Sequence, residues 1–235
     1  MTTVSFFYFS SRRNRFWALS QMGLAPRRVA GTPGLQFFKF LGSGAANGFG
    51  LKPNFSVYGF LGVWEDEAAF RHFQEHHPVA VAYRERSDRS QTVFLKPVMA
   101  HGLWDGQNPF VPTAGFDPQA PVAVLTRATI RLRHLWRFWQ FVGPVSADTA
   151  QRPGLRFAVG IGEVPLIQQA TFSLWDSGRQ MLDYAYRREK HAEVIRKTRE
   201  LGWYREELFA RFLPCRVEGG GFFEFTAEKM KNNPD

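Results

Sequence analysis

The clearest match to a known catalytic pattern is the run His72-Phe73-Gln74-Glu75-His76. It has the order of histidines and glutamate that inverted zinc proteases use. On a helix, His72 and His76 would share a face and could hold zinc. However, His77 crowds the motif and Pro78 ends the helix almost at once. A solvated polar helix face is therefore the preferred interpretation, and the zinc protease is the alternative.

A second group of side chains has the chemistry of a haem site. His191 lies among basic residues that include Arg187 and Arg188, and the aromatic pair Trp203-Tyr204 follows. A neutral imidazole is the usual protein ligand of a b-type haem, and arginines can form bidentate hydrogen bonds with haem propionates. The pattern predicts His191 as the metal ligand, with Arg187, Arg188, Trp203 and Tyr204 as further cofactor-binding residues.

The choice of histidine stays open at this point. His134, near the start of a predicted helix, competes with His191 as the ligand. An isolated histidine is also common on protein surfaces and in cores, where it binds nothing. The catalytic residues that would handle oxygen or substrate are not identified by the sequence.

The composition is that of a globular chain rich in aromatic rings. Its 235 residues include 24 Phe, 7 Trp and 6 Tyr, and its net charge is +9. That many rings suits a large apolar pocket, although an aromatic core is the commoner explanation. The positive charge favours acidic lipid headgroups or an acidic electron-transfer protein as partners. No zinc-finger spacing or RNA-binding aromatic motif accompanies it, so nucleic acid is not predicted.

Two further features bear on the compartment. The single cysteine, Cys215, excludes an internal disulfide and fits a reducing cytoplasm. No run approaches 18 uninterrupted apolar residues, so no membrane-spanning segment is predicted.

The chain contains an internal duplication. Pro33-Gly34-Leu35 recurs as Pro153-Gly154-Leu155, and at the same spacing Val4 matches Val124 and Gly42 matches Gly162. Trp64-Glu65-Asp66 recurs as Trp175-Asp176-Ser177 at a shorter spacing, because the first copy carries a Gly/Ala/Asn-rich insert over 42–53. Matches that keep their order over this length predict two related structural units.

Both copies predict the same elements. The strands are expected at 4–9, 36–42, 55–64 and 92–99, and at 122–126, 156–162, 170–175 and 209–217. The helices are expected at 12–29, 66–75, 132–150 and from 177 onward. The resulting order, βαββαβ twice, is that of tandem ferredoxin-like units. We expect an α+β fold in which the two sheets pack as a dimeric-α+β-barrel-like domain within one chain.

The expected organisation along the chain has four parts. Residues 1–101 form the first ferredoxin-like repeat, 102–121 a turn-rich linker, and 122–218 the second repeat. Residues 219–235, which turn into Lys, Asn and Pro, are expected to be a flexible tail.

Several ordered motifs together resemble one known family. They are Arg13-Asn14-Arg15-Phe16-Trp17-Ala18 with Gln21-Met22-Gly23, Pro33-Gly34-Leu35, Trp104-Asp105-Gly106-Gln107-Asn108-Pro109-Phe110, and His191 through Trp203-Tyr204 to Phe212. Over roughly residues 3 to 218 the chain resembles spheroidene monooxygenase, the carotenoid 2-ketolase of phototrophic purple bacteria.

The resemblance implies a haem-dependent enzyme that uses dioxygen to oxidise C-2 of an acyclic, methoxylated carotenoid. Two successive hydroxylations would give a geminal diol that loses water to become a ketone, with electrons from reduced ferredoxin. Because the substrate resides in the membrane, the resemblance also implies a cytoplasmic protein that docks peripherally on the bilayer. The oligomeric state stays open, and a homo-oligomer is compatible with the pattern.

Two other classes of function remain as alternatives. One is a different oxygenase on an α+β barrel, such as a cofactor-free polyketide oxygenase or a haem-degrading enzyme. The other is a non-catalytic protein that binds a pigment or lipid.

Overall fold

The structure, a computed structural model, describes residues 1–44, 53–146, 153–187 and 202–223. Eight strands and five helices lie in these ranges. The strands are β1 (Thr2–Tyr8), β2 (Leu35–Gly44), β3 (Pro53–Trp64), β4 (Arg89–Gly102), β5 (Val122–Ile130), β6 (Leu155–Gly162), β7 (Gln168–Trp175) and β8 (Tyr204–Gly219). The helices are α1 (Arg12–Val29), α2 (Glu67–His76), α3 (Pro78–Arg86), α4 (Leu135–Ser146) and α5 (Gly178–Arg187), with a 3₁₀ turn at Leu132–His134 before α4.

The eight strands close into one antiparallel barrel. Their order around it is β1-β3-β2-β6-β7-β5-β8-β4, and both halves of the chain contribute to the same sheet. The predicted α+β class and the barrel closed within one chain are therefore confirmed. Among the described helices, none combines the length and apolar character needed to cross a bilayer.

The helix boundaries follow from local capping chemistry. Ser11 accepts a hydrogen bond from the amide of Asn14 at the start of α1, and Asp66 does the same for Ala69 at the start of α2. Helix α3 is absent from the sequence prediction, which took Pro78 only as the end of the preceding helix. Proline is also favoured in the first turn of a helix, because the backbone N–H groups there have no acceptor within the helix and proline's lack of an N–H costs nothing. Pro78 begins α3 in this way.

The two halves have the same spatial order of strands. Each half runs fourth, first, third, second: β4-β1-β3-β2 and β8-β5-β7-β6. In each half a leucine at the start of the second strand pairs with a tryptophan at the end of the third strand, Leu35 with Trp64 and Leu155 with Trp175. Each hairpin then has a register shift at the next step. The halves join where Gly42 pairs with Gly162 and where β4 pairs with β8. Whether they are duplicated ferredoxin-like repeats stays a prediction.

The pairing shifts one of the sequence matches by a residue. Val4 lies opposite Leu61, and Phe172 occupies the position in β7 that Leu61 has in β3. The residue opposite Phe172 is Leu125, so Leu125 and not Val124 corresponds to Val4. Strand residues alternate between the two faces of a sheet, so this one-residue difference decides which side chains point inward.

Side chains fill the interior of the barrel. The buried cluster there includes Phe6, Phe37 and Phe212, and it also takes Trp104 and Phe110 from the segment between β4 and β5. That segment was predicted as a linker, yet it supplies two of the most deeply buried rings of the described chain. Phe222 and Phe223, from the predicted tail, pack against the same cluster, while 224–235 lie outside the described residues.

A second aromatic core covers the outer face of the first half. It lies between the sheet and helices α1, α2 and α3, and includes Phe40, Tyr58, Phe60 and Tyr83. Many of the 37 rings therefore build two packed cores, the commoner of the two explanations offered by the composition.

Candidate functional site

The outer face of the sheet differs between the two halves. In the first half, Phe40 and Phe60 face each other across β2 and β3 with ring centroids 4.9 Å apart. The equivalent cross-strand pair in the second half is Gly160 with Thr171. Two rings that fill space under α1, α2 and α3 thus have no counterpart at the equivalent positions of the second half.

The same difference recurs at neighbouring positions of the face. Where the first half places an aromatic ring, the register places a smaller or non-aromatic residue in the second half. These pairs are Phe38 with Ala158, Tyr58 with Gln169, and Phe7 with Ala128. Thr126 and Thr171 add a hydroxyl pair there, with their oxygens 2.5 Å apart.

Two small apolar clusters bound this face along β5. At one end Val122 and Val124 pack with Met181 of α5, and at the other end Ile130 packs with Phe138 of α4 and with Trp203. Thr126 and Ala128 lie between these ends and belong to neither cluster. We call the surface formed by Thr126, Ala128, Ala158, Gly160 and Thr171 the small-residue face.

The residues predicted to hold haem are only partly described. Trp203 is buried, 1% exposed, and packs edge-on against Phe138, with ring centroids 6.1 Å apart. Tyr204, the first residue of β8, is half-buried against the same ring. Both therefore stand at the α4 edge of the small-residue face. Arg187 is the last residue of α5, and Arg188 and His191 lie outside the described residues.

The competing histidine, His134, lies in the 3₁₀ turn before α4. Its Nε2 accepts a hydrogen bond from Nε of Arg133 at 3.0 Å, which engages that nitrogen. Partial burial, followed by the charges of Arg133, Arg137 and Arg131, lowers the pKa of His134. The imidazole is thus neutral at physiological pH, but it faces a cluster of arginines on the surface.

The zinc-protease pattern does not form a site. His72, Glu75 and His76 are exposed on α2, and the two imidazoles stack on each other with centroids 4.6 Å apart. Within the described ranges, no three His, Cys, Asp or Glu side chains are grouped so that they could hold a metal ion. The preferred interpretation of a polar helix face agrees with this geometry.

One end of the barrel carries a buried ionic network that the sequence analysis did not foresee. Arg127, whose side chain is 1% exposed, contacts Asp105, Glu163 and Glu206, while Lys39 bonds to Asp105 and Glu163. Although burial opposes ionisation, amide hydrogen bonds from Gly106 and Asp105 and the contact with Arg127 lower the pKa of Glu206 overall. The network closes the barrel over Trp104, whose Nε1 donates to Glu163 at 2.7 Å.

A turn positions the acidic side of this network. The Trp104–Gln107 turn has positive φ at both central residues, Asp105 and Gly106. An Asp-Gly dipeptide favours such a turn, and that was the signal available in the sequence. Nothing in the local pattern indicated that Arg127 and Lys39 would meet it, because they come from β5 and β2.

The described residues allow one test of whether a porphyrin fits. A cavity of about 190 Å³ lies under α2 and α3 in the first half, and it is smaller than pockets that enclose drug-sized ligands. The small-residue face is the better match, since a flat apolar group can lie where the first half has rings. The small side chains of that face are compatible with such a group. The segment 188–201 that carries the predicted ligand lies outside the described residues.

Three curated relatives resemble this chain over most of its length, and all three are named spheroidene monooxygenase. The protein from Rhodobacter capsulatus is 37% identical over 221 residues, covering 93% of this chain and 92% of the relative. The one from Rubrivivax gelatinosus is 38% identical over 205 residues, covering 87% and 78%. The one from Cereibacter sphaeroides is 37% identical over 211 residues, covering 89% of this chain but only 65% of the relative. No protein-family model matches the chain.

A solved structure of aldoxime dehydratase shares the fold. It superimposes with a TM-score of 0.56, covers 93% of this chain and 81% of its own, and is 10% identical in sequence. At that identity the likeness concerns the fold alone.

Proposed function

The chain belongs to the spheroidene monooxygenase family, and from this premise we propose that it is an oxidoreductase that inserts oxygen into an acyclic carotenoid. The single observation that carries the proposal is 37% identity over 92% of the Rhodobacter capsulatus relative. The structure adds a face in the second half where rings present in the first half are missing.

The reaction we propose is a two-step ketolation at C-2. Each step inserts one oxygen atom of O₂ into a C–H bond and reduces the other to water with two electrons and two protons. The second hydroxylation gives a geminal diol, which loses water to form the ketone. Reduced ferredoxin is the proposed electron donor, and the net charge of +9 supports its docking because ferredoxins are acidic.

We propose that the small-residue face would hold a b-type haem, and that His191 would supply its protein ligand. Haem, when bound, supplies the oxygen-activating chemistry. Arg187 and Arg188 would pair with its propionates. Trp203 and Phe138, packed at the α4 edge, would exclude water from that side. The Gly160–Thr171 pair supports this placement because rings at those positions, as in Phe40–Phe60, would occupy the same volume.

The absorption spectrum of the purified protein tests the cofactor. We expect a Soret band that His191→Ala removes and that His134→Ala retains, because Nε2 of His134 is already hydrogen-bonded to Arg133. Loss of the band in His134→Ala with retention in His191→Ala would transfer the ligand to His134. Haem dependence would be refuted if the wild-type protein, incubated with excess haemin and then separated from unbound haemin by gel filtration, showed no Soret band.

The organisation we propose keeps two ferredoxin-like repeats, 1–101 and 122–218, joined by 102–121. Two features that the halves share support it: the spatial order of their strands, and the register shift in the β2–β3 and β6–β7 hairpins. The burial of Trp104 and Phe110 means that the connecting segment also closes the barrel core.

We propose that the protein works on the cytoplasmic side of a membrane and docks through the start of α4. Leu132 and Trp136 are 71% and 78% exposed there, beside Arg131, Arg133 and Arg137. Exposed Trp and Leu flanked by arginines suit the interface of an anionic bilayer. The residues from 128 to 146 include no Asp or Glu that would oppose such binding.

The neighbouring β6–β7 loop extends this surface. Val164 and Leu166 are partly exposed, and Nε1 of Trp139 donates to the carbonyl of Leu166 at 3.2 Å, which holds the loop beside α4. The surface adjoins Trp203, since the amide of Arg131 donates to the carbonyl of Trp203 at 2.8 Å. A carotenoid leaving the bilayer here would reach the α4 edge of the small-residue face.

Sedimentation with vesicles tests the docking surface. Binding to phosphatidylcholine vesicles that contain phosphatidylglycerol is expected to exceed binding to phosphatidylcholine alone, and Trp136→Ser is expected to weaken it. Phe16→Ser is the matched control, because Phe16 is 75% exposed on α1. If Phe16→Ser weakens binding and Trp136→Ser does not, the docking surface is α1 instead.

A further inference from the structure

The small-residue face carries a pair of hydroxyls that the proposed reaction has not yet been given a use for. Thr126 of β5 and Thr171 of β7 lie directly opposite each other, and their hydroxyl oxygens are 2.5 Å apart. Among the described residues, neither hydroxyl has another hydrogen-bond partner. Each hydroxyl carries one proton and the pair uses only one of them, so the second proton is available to an acceptor outside the protein.

The pair lies where the first half of the chain has a packed ring. Thr171 occupies the position in β7 that Phe60 has in β3, and its neighbour Gly160 occupies the position of Phe40. Phe40 and Phe60 are 5% and 4% exposed, and they fill the space between the sheet and the helices of the first half. In the second half a hydroxyl and a methyl group stand in place of one ring, beside a residue without a side chain.

The two threonines can be reached from the outer side of the sheet. Both are half-buried, and the register places their side chains on the outer face of the barrel wall. The first half also has a cross-strand hydroxyl pair, Ser5 with Thr92, but these residues are only 2% and 7% exposed. The pair of the second half is therefore the more open of the two to a molecule outside the sheet.

The neighbours of the pair across the sheet leave its free proton without a charged competitor. The residues paired in one line from β4 to β6 are His101, Phe209, Thr126, Thr171 and Gly160. The line contains no carboxylate. Its imidazole stacks on the ring of Phe209, with centroids 5.2 Å apart, and is separated from the hydroxyls by that residue. The hydroxyl pair is thus a neutral hydrogen-bond donor on a face of otherwise small side chains.

We propose that Thr126 and Thr171 are catalytic residues that donate a hydrogen bond to the dioxygen consumed in the proposed reaction. The inference rests on the proposed function, because it takes the small-residue face as the place where dioxygen reacts. Reduction of dioxygen places negative charge on oxygen, and a donor that its neighbour already holds in position stabilises that charge without having to reorient. No O–H bond is broken in this role, so the stoichiometry of the reaction is unchanged.

Fluoride and carbon monoxide, added to the full chain loaded with haem, are the two probes that test this role. Fluoride is an anion that accepts hydrogen bonds, whereas carbon monoxide is a weak acceptor. Visible spectra measure the affinity of the ferric protein for fluoride and of the ferrous protein for carbon monoxide. Thr126→Val/Thr171→Val removes both hydroxyls and keeps the branched shape that strands favour. It should weaken fluoride binding at least about tenfold, as for a hydrogen bond to a charged group, and leave carbon monoxide within about twofold.

Two double variants are matched controls. Thr126→Ser/Thr171→Ser retains both hydroxyls and removes only the methyl groups. Ser5→Ala/Thr92→Val removes the hydroxyl pair of the first half, whose oxygens are 2.8 Å apart. Both variants should keep the fluoride affinity within about twofold of the wild type, because the donors at the small-residue face are intact.

The inference is overturned if the valine variant binds fluoride as tightly as the wild type, if it loses affinity for both probes equally, or if the serine variant loses as much fluoride affinity as the valine variant. A wild-type protein that takes up no haem would refute the haem-dependent function, and this inference would fail with it. Haem uptake with an unchanged fluoride affinity in the valine variant would overturn this inference alone. Should the valine variant fail to fold, Thr126→Ala/Thr171→Ala makes the same comparison.

Discussion

Replacing Arg127 with methionine is expected to be the most destabilising single change in the ionic network at the end of the barrel. Methionine keeps an unbranched apolar chain of similar length, so the change removes the charge and the hydrogen bonds more than the packing. In the wild type, two cations meet three carboxylates: Arg127 and Lys39 against Asp105, Glu163 and Glu206. Arg127→Met leaves Lys39 as the remaining cation of the network, in contact with Asp105 and Glu163, and takes away the cation that contacts Glu206.

The magnitude follows from burial. The side chain of Arg127 is 1% exposed, and that of Glu206, its hydrogen-bond partner, is 17% exposed. Removing one partner of a buried pair typically costs about 3–5 kcal/mol, because the remaining charge is left without compensation in a poorly solvated site. For a chain of this size, about 2–4 °C of thermal midpoint correspond to 1 kcal/mol, so the expected loss is roughly 6–20 °C.

Thermal and urea unfolding followed by circular dichroism measure the effect. The control is Arg156→Met, which breaks the ion pair between Arg156 and Asp176 at 2.7 Å. Because Arg156 is 49% exposed, its loss should cost much less stability than the loss of Arg127. The double variant Arg127→Met/Glu206→Gln should recover part of the loss, since it also removes the carboxylate left unpaired. Equal shifts for the two single Arg→Met variants would refute the argument that burial, rather than ion-pair distance, sets the energy.

Three further predictions concern pH, a turn and the small-residue face. The pKa of Glu206 is lower in the folded protein than its ordinary value of 4.5. The stabilisation from ionised Glu206 is therefore complete above pH 4.5 and is lost as the pH falls through the lowered pKa of the folded protein. Glu206→Gln should flatten the acid side of a profile of unfolding free energy against pH. Gly31 and Gly34 both have positive φ, but only at Gly34 would an added Cβ overlap the Cβ of Ala69. Gly34→Ala should therefore lower the free energy of unfolding in urea by about 1–3 kcal/mol more than Gly31→Ala does. Gly160→Phe should abolish the Soret absorption of haem-reconstituted protein while the thermal midpoint stays within a few degrees; full haem loading would contradict the proposed position of the cofactor.

Local signals predicted the elements well where a cap or turn residue marks their ends. The bounds of α1 agree at both ends, because Ser11 caps its start and a Pro-Gly turn follows its end. The hairpins of both halves were predicted to within a few residues, since β-rich runs end there at Gly, Pro or Trp. Helix α3 was missed because proline both stops one helix and starts the next, and the sequence alone does not tell which role applies.

The candidate site was predictable only in part. His191 and Arg188 were chosen by residue type, and their placement lies outside the described residues, so their roles stay predictions. Trp203 was chosen in the same way and is buried at the edge of the small-residue face. That face itself was missed, because Gly160 and Thr171 are unremarkable until the register sets them against Phe40 and Phe60.

Residue types and short-range spacing by themselves determined the alternation of strands and helices, the family resemblance and the basic charge, since each depends on neighbours along the chain. The tertiary structure decided which side chains share a space. Arg127, Lys39 and Glu206 come from β5, β2 and β8, and Glu163 directly follows β6. They meet because closure of the barrel brings these strands together. Closure is a long-range property of strand pairing, in which a shift of one residue exchanges inside for outside, and no local pattern encodes it.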